Sequence, residues 1–231
     1  MVERSQRALL FDFGGTLDAD GLRWSVRFHA AYAGLGGVLG AEPFEELFRA
    51  SDRALLDVPG ITTLGLRAMI HAQAALLRAM LPDGETVDLA RVAEQVYGDA
   101  VRTADRNRPI LDRLAGGGFR LGIVSNFTGN LEHCLAELDL LRFFDVVTDS
   151  GVFGASKPDP APFQATLAAL GVEPADAWMI GDNFEADIRP ARRLAMRGCW
   201  LTTPDRVAPA DCPPDARIAH LSELPAVVCT G

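Results

Sequence analysis

Short runs of apolar residues recur along the chain, and each is too short to form a helix. The clearest span residues 8–11, 121–124 and 178–180, and weaker ones span residues 144–148 and 199–202. Within the clearest runs nearly every position is apolar, as in strands that are covered on both faces of a parallel sheet. The pattern therefore predicts five β-strands in the interior of the protein.

Helical periodicity separates these runs. Apolar residues follow a three- and four-residue spacing over residues 130–141, with Asn130 as a candidate N-terminal cap, and further helices are predicted over residues 162–170 and 184–195. Pro190 lies inside the last of these, where it indicates a kink or an early helical position. Strands that alternate with helices predict an α/β fold with a doubly wound parallel sheet.

One long segment breaks this alternation. Between residues 22 and 99 the periodicity predicts no strand, and helices are expected over residues 24–32, 43–56, 64–81 and 89–104. We therefore expect residues 21–99 to form an all-helical cap domain, inserted into an α/β core domain made of residues 1–20 and 100–231. A cap that follows the first strand would lie over the carboxyl edge of the sheet, where open α/β sheets bind ligands.

Composition and charge exclude several classes of function. The 231 residues carry 22 Lys and Arg against 31 Asp and Glu, and the formal net charge of −9 disfavours binding to nucleic acid or to an anionic membrane. No apolar stretch reaches the ~20 residues of a transmembrane helix, and the N-terminus lacks the apolar core of a secretory signal. We expect a cytoplasmic protein, a monomer or a homodimer, whose partner is a small molecule.

Polar side chains follow the three clearest strands, and another polar group lies in a predicted loop before a helix. The four groups are Asp12 to Thr16, Ser125 with Asn126, Lys157 to Pro160, and Asp182 with Asp187. The carboxyl ends of parallel strands meet at one edge of a sheet, so we expect these side chains to lie close together.

These residue types suit the transfer of a phosphoryl group to a carboxylate. Asp12, at a strand end, is a candidate nucleophile. Asp182 and Asp187 are candidate ligands of a hard cation such as Mg²⁺, which prefers oxygen donors and would shield the nucleophile from the charge of a phosphate. Ser125 and Lys157 are candidate hydrogen-bond donors to phosphoryl oxygens. The glycines after Asp12 would let backbone N–H groups approach a phosphate.

Four motifs in this order resemble the haloacid dehalogenase-like hydrolase superfamily. They read FDFGGTL at residues 11–17, VSN at 124–126, KPDP at 157–160 and GDNFEAD at 181–187, and they span most of the chain. The resemblance implies a Rossmann-like core with a helical cap inserted between the first and second motifs. It also implies a Mg²⁺-dependent phosphatase that acts on a small phosphorylated metabolite.

The roles that the family assigns carry over to the matching residues. The resemblance implies that Asp12 is the covalent nucleophile, which forms an aspartyl-phosphate, and that Lys157 is catalytic as well. It implies that phosphate is bound by Gly15, Thr16, Ser125, Asn126 and Lys157. It implies that Mg²⁺ is held by Asp12, the Gly14 backbone carbonyl, Asp182 and Asp187.

One position departs from the family pattern. Phosphatases of this family usually carry a second aspartate two residues after the nucleophile, which protonates the leaving alcohol and then activates water. This chain has Gly14 there, and general acid–base catalysis is typically worth about 10²- to 10⁴-fold. The candidates for a substitute acid are Asp18, Asp20, His29 and His71.

Three interpretations stay open. The first is a phosphatase that has a substitute acid, a good leaving group or a slow rate. The second is a branch with another leaving group, such as a haloacid dehalogenase in which Asp12 attacks carbon. The third is a protein that binds phosphorylated metabolites without turnover.

Two features bear on the second interpretation. Haloacid dehalogenases of this family need no metal and typically lack the acidic residue that Asp182 supplies here. Phosphonatases of the family use a cap lysine, whereas Lys157 is the only lysine of this chain and lies outside the expected cap. A metal-using reaction at phosphorus is therefore favoured. Among cap residues, Arg23 and Arg27 are the best candidates for contact with the substrate.

Overall fold

A six-stranded parallel sheet forms the centre of the protein, in a computed structural model that describes residues 7–229. Its strands are β1 Arg7–Phe11, β2 Phe119–Ser125, β3 Val146–Asp149, β4 Ala177–Gly181, β5 Arg197–Leu201 and β6 Ala216–Ile218. The five predicted strands are confirmed to within a few residues. The sixth was not predicted, because a three-residue edge strand with one buried side chain carries no hydrophobic pattern.

The order of the strands in the sheet is β3-β2-β1-β4-β5-β6. The chain places β2 and β3 on one side of β1, and then β4, β5 and β6 on the other side. The connections that leave β1 and β4 therefore run in opposite directions. In sheets of this kind a crevice forms outside the carboxyl ends of the strands at the reversal point. The carboxyl ends of β1, β2 and β4 carry Asp12, Ser125 and Asp182, respectively.

Helices cover both faces of the sheet. They are α1 Trp24–Gly34, α2 Ala41–Leu55, α3 Leu66–Met80, α4 Leu89–Gly116, α5 Leu131–Glu137, α6 Ser150–Phe153, α7 Ala161–Leu170, α8 Arg189–Arg193 and α9 Leu224–Val228. Along β1, Leu9 and Phe11 pack toward the face that also carries α4, whereas Ala8 and Leu10 pack toward α7 and α8. Because both faces are covered, the side chains of β1 after Arg7 are fully buried.

The segment between β1 and β2 is helical, as predicted. Helix α1 packs on α2 and α4, α2 packs on α3, and α3 packs on α4. Helix α4 has 28 residues and continues through Pro109, well beyond the predicted end at residue 104. It therefore runs across the expected domain boundary at residue 99, and the division into core and cap stays a prediction.

Two predicted helices differ in detail. The segment after β4 is a π-helical turn, Phe184–Ile188, followed by the short α8 with Pro190 in its first turn, rather than one helix over residues 184–195. Helix α5 is shorter than predicted, and the side chain of Asn130 does not cap it. Asn130 donates instead to the backbone oxygen of Leu64, while Asp149 accepts from the Leu131 N–H.

Within residues 7–229, no helix combines the length and the apolar composition that a membrane span requires.

Candidate active site

A cavity of about 440 Å³ opens at the carboxyl edge of the sheet. The core lines it with the strand-end residues that the motifs predict, namely Asp12, Gly14, Ser125, Asn126, Lys157, Asp182 and Asp187. The helical segment lines the opposite side with residues of α1, α2 and the turn before α1, among them Arg23, Trp24, Asp52 and Arg53. Gly15 and Thr16 do not line the cavity, although the preceding Gly14 does.

The carboxylate of Asp12 is held by one of its two oxygens. Ser125 Oγ donates to Asp12 Oδ1 at 3.0 Å, and Lys157 Nζ donates to the same oxygen at 2.8 Å. No residue in the described part of the chain donates to Oδ2. The second oxygen is therefore free to bind a cation or to attack an electrophile.

Asp12, Asp182 and Asp187 form a buried cluster. Each offers a carboxylate oxygen, and these oxygens lie within 4.8 Å of one another. Lys157 Nζ lies among them, 2.8 Å from Asp12 Oδ1 and 2.5 Å from Asp187 Oδ1. Three carboxylates thus face a single ammonium group in a site that water hardly reaches.

The electrostatics of this cluster shift the pKa of several groups. Desolvation raises the pKa of Asp187 to about 7, although the Lys157 charge opposes the shift. The pKa of Asp182 is also raised, first by desolvation and then by the charges of Asp12 and Asp187. Desolvation alone would lower the pKa of Lys157, but the two neighbouring aspartates outweigh it and the pKa is raised. Burial and the neighbouring carboxylates therefore disfavour the charged forms of Asp182 and Asp187.

Two glycines allow these carboxylates to approach the backbone closely. A Cβ on Gly15 would lie 2.8 Å from the carboxylate atoms of Asp182, and Gly15 has φ of +91°, which side-chain-bearing residues rarely adopt. A Cβ on Gly181 would lie 2.3 Å from Asp187 Oδ2. Gly15 thus belongs to the site by its backbone, while the Thr16 side chain is fully buried outside the cavity.

Asn126 positions the loop that carries Lys157. Its side-chain nitrogen donates to the Lys157 backbone oxygen at 2.8 Å, and its side-chain oxygen accepts from the Lys157 N–H at 2.8 Å. Both functional groups of the amide are therefore engaged with the backbone of Lys157. Asn126 therefore fixes the backbone of Lys157, while Asp12 and Asp187 contact its ammonium group.

The four candidate substitute acids lie outside the cavity. Asp18 is fully buried, accepts from the Gly15 N–H at 2.7 Å and pairs with Arg27 at 2.6 Å. Asp20 pairs with Arg106, His29 contacts the backbone oxygen of Leu39, and His71 contacts Glu94. The prediction that one of them replaces the missing acid is therefore not supported by the geometry.

Of the two arginines expected to contact the substrate, only Arg23 lines the cavity. Arg27 is buried and engaged with Asp18 and the Val96 backbone oxygen, so the expectation that it contacts the substrate was wrong. The charge of Arg23 reaches the cluster, where it lowers the pKa of Asp182 against the larger raising effects.

Two features on the helical side were not singled out from the sequence. Asp52 and Arg53 of α2 line the cavity, and desolvation by the surrounding walls raises the pKa of Asp52. Trp24 is the first residue of α1, and its ring lies beside Gly14. Trp24 and Arg53 were among several cap residues that the sequence could not rank as substrate contacts, and Asp52 was not among them. The packing of α1 and α2 over the sheet decides which of their residues face the cavity.

The three-carboxylate cluster fits a divalent cation with hard oxygen ligands. The carboxylates outnumber the ammonium group, and Asp182 accepts no side-chain hydrogen bond from the residues that the structure describes. A buried carboxylate without a donor is costly unless a positive charge compensates it. Mg²⁺ is commonly bound by one or two carboxylates together with water and substrate oxygens.

The chain is similar in sequence to several known proteins. A sequence model described as haloacid dehalogenase-like hydrolase matches residues 6–194. The chain is 35% identical over 108 residues to phosphoserine phosphatase from Thermus thermophilus, a match that covers 46% of this chain and 43% of that one. It is 34% identical over 152 residues to haloacid dehalogenase-like hydrolase domain-containing protein 3 from Homo sapiens, covering 61% and 60%. The chain spans about half the length of these curated relatives.

Solved structures share the fold over nearly the whole chain. A 2-haloacid dehalogenase from Pseudomonas syringae pv. Tomato DC3000 is 26% identical with a TM-score of 0.56, covering 97% of this chain and 98% of that one. A HAD phosphatase from Thermococcus onnurineus is 23% identical with a TM-score of 0.58, covering 96% and 98%.

Proposed function

We propose that this chain, which belongs to the haloacid dehalogenase-like hydrolase family, is a Mg²⁺-dependent phosphatase for a small phosphorylated metabolite. The observation that carries the proposal is the environment of Asp12. One of its oxygens is fixed by Ser125 and Lys157, the other is free, and two further buried carboxylates lie beside it. The similarity to a phosphoserine phosphatase supports a phosphate substrate.

The first step in this proposal forms a covalent intermediate. Asp12 Oδ2 attacks phosphorus, the bond from phosphorus to the leaving oxygen breaks, and an aspartyl-phosphate results. Lys157 and Ser125 hold the other oxygen of Asp12 and so orient the attack. An ammonium group has three donors, and Asp12 and Asp187 use two of them, which leaves one for a phosphoryl oxygen.

The second step returns the enzyme to its starting state. Water attacks phosphorus, the bond to Asp12 breaks, and inorganic phosphate is released. Asp12, Asp182, Asp187 and the Gly14 carbonyl would hold Mg²⁺, which supplies positive charge against the phosphate and the nucleophile. The cap residues Arg23 and Arg53 would contact the remainder of the substrate.

A haloacid dehalogenase is the second candidate. It is favoured by Gly14, since a halide leaves without a proton, and by the similarity to a 2-haloacid dehalogenase structure. The buried cluster of Asp12, Asp182 and Asp187 argues against it, because attack on carbon needs no cation. No feature of the cavity specifically favours the third candidate, which is binding without turnover.

One experiment separates the three candidates. Phosphate release from a panel of phosphorylated metabolites is measured with Mg²⁺ and with a chelator, for the wild type, Asp12→Asn and the control Asp20→Asn. Asp20 is a carboxylate near the same strand but outside the cavity. We expect metal-dependent release that Asp12→Asn abolishes and Asp20→Asn retains. Halide release from 2-haloacids in chelator would establish the dehalogenase, and no release from any compound would leave binding alone.

A further inference from the structure

An indole N–H lies where a side chain of residue 14 would project. A Cβ built on Gly14 would be 3.3 Å from Trp24 Nε1 and 3.6 Å from Trp24 Cδ1. Gly14 is two residues after Asp12, and both Gly14 and Trp24 line the cavity. The donor group of Trp24 therefore lies beside the backbone of the nucleophile loop, on the inner wall of the active site.

This N–H is buried and has no partner. Among the residues that the structure describes, none accepts a hydrogen bond from Trp24 Nε1. Burying a hydrogen-bond donor without an acceptor is unfavourable, and most buried donors in proteins have a partner. An unpaired donor on the wall of an active-site cavity indicates that its acceptor is a bound ligand.

Aromatic contacts fix the ring of Trp24 in this orientation. It stacks on Phe28, with ring centroids 6.4 Å apart, and meets Phe127 edge to face at 6.3 Å. Phe127 in turn packs at 5.4 Å against Phe13, the residue that follows Asp12. Phe28 of α1 and Phe127, which packs beside the nucleophile loop, thus hold the indole ring. These contacts set the direction of its N–H before a substrate binds.

We infer that Trp24 donates this hydrogen bond to the leaving oxygen of the substrate, and that the site is built for phosphates whose leaving group departs as a stable anion, above all acyl phosphates. The inference rests on the proposed phosphatase function. An indole N–H donates a hydrogen bond but keeps its proton. It can stabilise negative charge that develops on the leaving oxygen, as other preorganised donors do, but it cannot neutralise an alkoxide.

Two charged side chains of the helical segment, Arg23 and Asp52, also line the cavity. Arg23 lies next to Trp24, and its charge acts on Asp182, so its positive potential favours a departing anion at the same end of the cavity. Burial raises the pKa of Asp52, while the charge of the neighbouring Arg53 opposes the shift. Asp52 lies on α2, on the opposite side of the cavity from the strand ends that carry the Asp12 cluster.

The reaction balances without a proton donor. Asp12 attacks the phosphorus of R–COO–PO₃²⁻, the bond from phosphorus to the carboxylate oxygen breaks, and R–COO⁻ departs with the hydrogen bond from Trp24. Water then attacks the aspartyl-phosphate, and both of its protons end on the released H₂PO₄⁻. No oxidant, reductant or further reactant is required.

A series of leaving groups tests the inference. Asp12-dependent phosphate release is measured with acetyl phosphate, 4-nitrophenyl phosphate, phenyl phosphate and glycerol 3-phosphate, in order of rising basicity of the leaving oxygen. We compare the wild type with Trp24→Phe, with the control Trp178→Phe, and with the double variant Gly14→Asp/Trp24→Phe. Trp178 lies in β4 and does not line the cavity. Thermal unfolding of each variant confirms that it is folded.

The wild type should prefer acetyl phosphate over glycerol 3-phosphate by at least about 10²-fold in kcat/KM, the lower end of what a general acid supplies. Trp24→Phe should lower kcat on acetyl phosphate by about 10²-fold with little change in KM, because the donor acts on charge that develops in the transition state. Trp178→Phe should leave both constants unchanged. The double variant should regain activity on glycerol 3-phosphate relative to Trp24→Phe, since a carboxyl at residue 14 can give a proton.

Other results would overturn the inference. Similar rates along the whole series, or equal effects of Trp24→Phe and Trp178→Phe, would refute it while the Asp12-dependent phosphatase stands. Absence of Asp12-dependent release from all four compounds would refute the proposed function, and the inference with it.

Discussion

Replacing Lys157 with methionine removes the ammonium group that faces the buried carboxylates. Lys157 Nζ contacts Asp12 Oδ1 at 2.8 Å and Asp187 Oδ1 at 2.5 Å, and all three residues are buried. Methionine has nearly the same length but no charge, so the change tests electrostatics rather than volume. The variant is expected to be less stable than the wild type when no divalent cation is present.

The size of the effect follows from the burial of the pair. Removing one partner of a buried ion pair costs about 3–5 kcal/mol, because it leaves an uncompensated charge in the interior. The two contacts share one cation, so their costs do not add. For a chain of 231 residues, each kcal/mol lowers Tm by about 2–4 °C. A fall in Tm of about 6–20 °C is therefore expected.

Thermal unfolding in chelator, followed by circular dichroism, measures the effect. Arg102→Met is the matched control, because it breaks an exposed ion pair with Asp99 that should contribute no more than about 1 kcal/mol. Mg²⁺ should recover part of the loss in Lys157→Met, since a bound cation stabilises the folded state. A Tm for Lys157→Met equal to that of Arg102→Met would show that the buried carboxylates do not depend on Lys157.

Three further changes probe the same site and its support. Gly15→Ala would place a methyl group 2.8 Å from the Asp182 carboxylate, at a φ of +91° that alanine rarely adopts. The affinity for Mg²⁺, measured by titration calorimetry, should fall at least tenfold. An unchanged affinity would show that Asp182 is not a metal ligand. Desolvation raises the pKa of Asp187 from 3.8 to about 7, so the metal-free protein should lose stability as pH rises between those values. The gain in Tm from Mg²⁺ should therefore grow from about pH 5 to about pH 8. A gain in Tm that shrinks over this range would contradict the expected sign. Arg27→Met would strand the buried Asp18 and should cost about 3–5 kcal/mol in urea unfolding, and a loss below about 1 kcal/mol would refute the importance of that pair.

The sequence predicts the parts of the fold that have strong local patterns. Buried strands such as β1 and β4 are continuous apolar runs, and the polar residues that end them come together as expected. The edge strand β6 escapes prediction because only Ile218 of its three residues is buried. The end of α4 was predicted at residue 104, whereas the helix continues through Pro109 to Gly116.

The contents of the site are less predictable than its location. Motif spacing identifies Asp12, Lys157 and Asp187, whose contacts the structure now describes. It does not separate Arg23 from Arg27, four residues apart near the start of one helix, of which only Arg23 lines the cavity. That distinction depends on how α1 rests against α4 and the β1 loop, which is a tertiary property.

The position of Trp24 illustrates the same limit. A tryptophan at the start of a helix has no signature that separates a core residue from a ligand-binding one. Its significance comes from the 3.3 Å approach to Gly14 and from the buried N–H without a partner. Neither quantity exists until α1 is placed over the carboxyl edge of the sheet.

Direct detection of the covalent intermediate tests the central claim most closely. The enzyme with Mg²⁺ is mixed with its best phosphate substrate, quenched in acid within a single turnover, digested and analysed by mass spectrometry. The account predicts a phosphoryl group on the peptide that contains Asp12 in the wild type, and none in Asp12→Asn. Phosphate release by the wild type with no phosphoryl group on that peptide, or release that persists in Asp12→Asn, would contradict it.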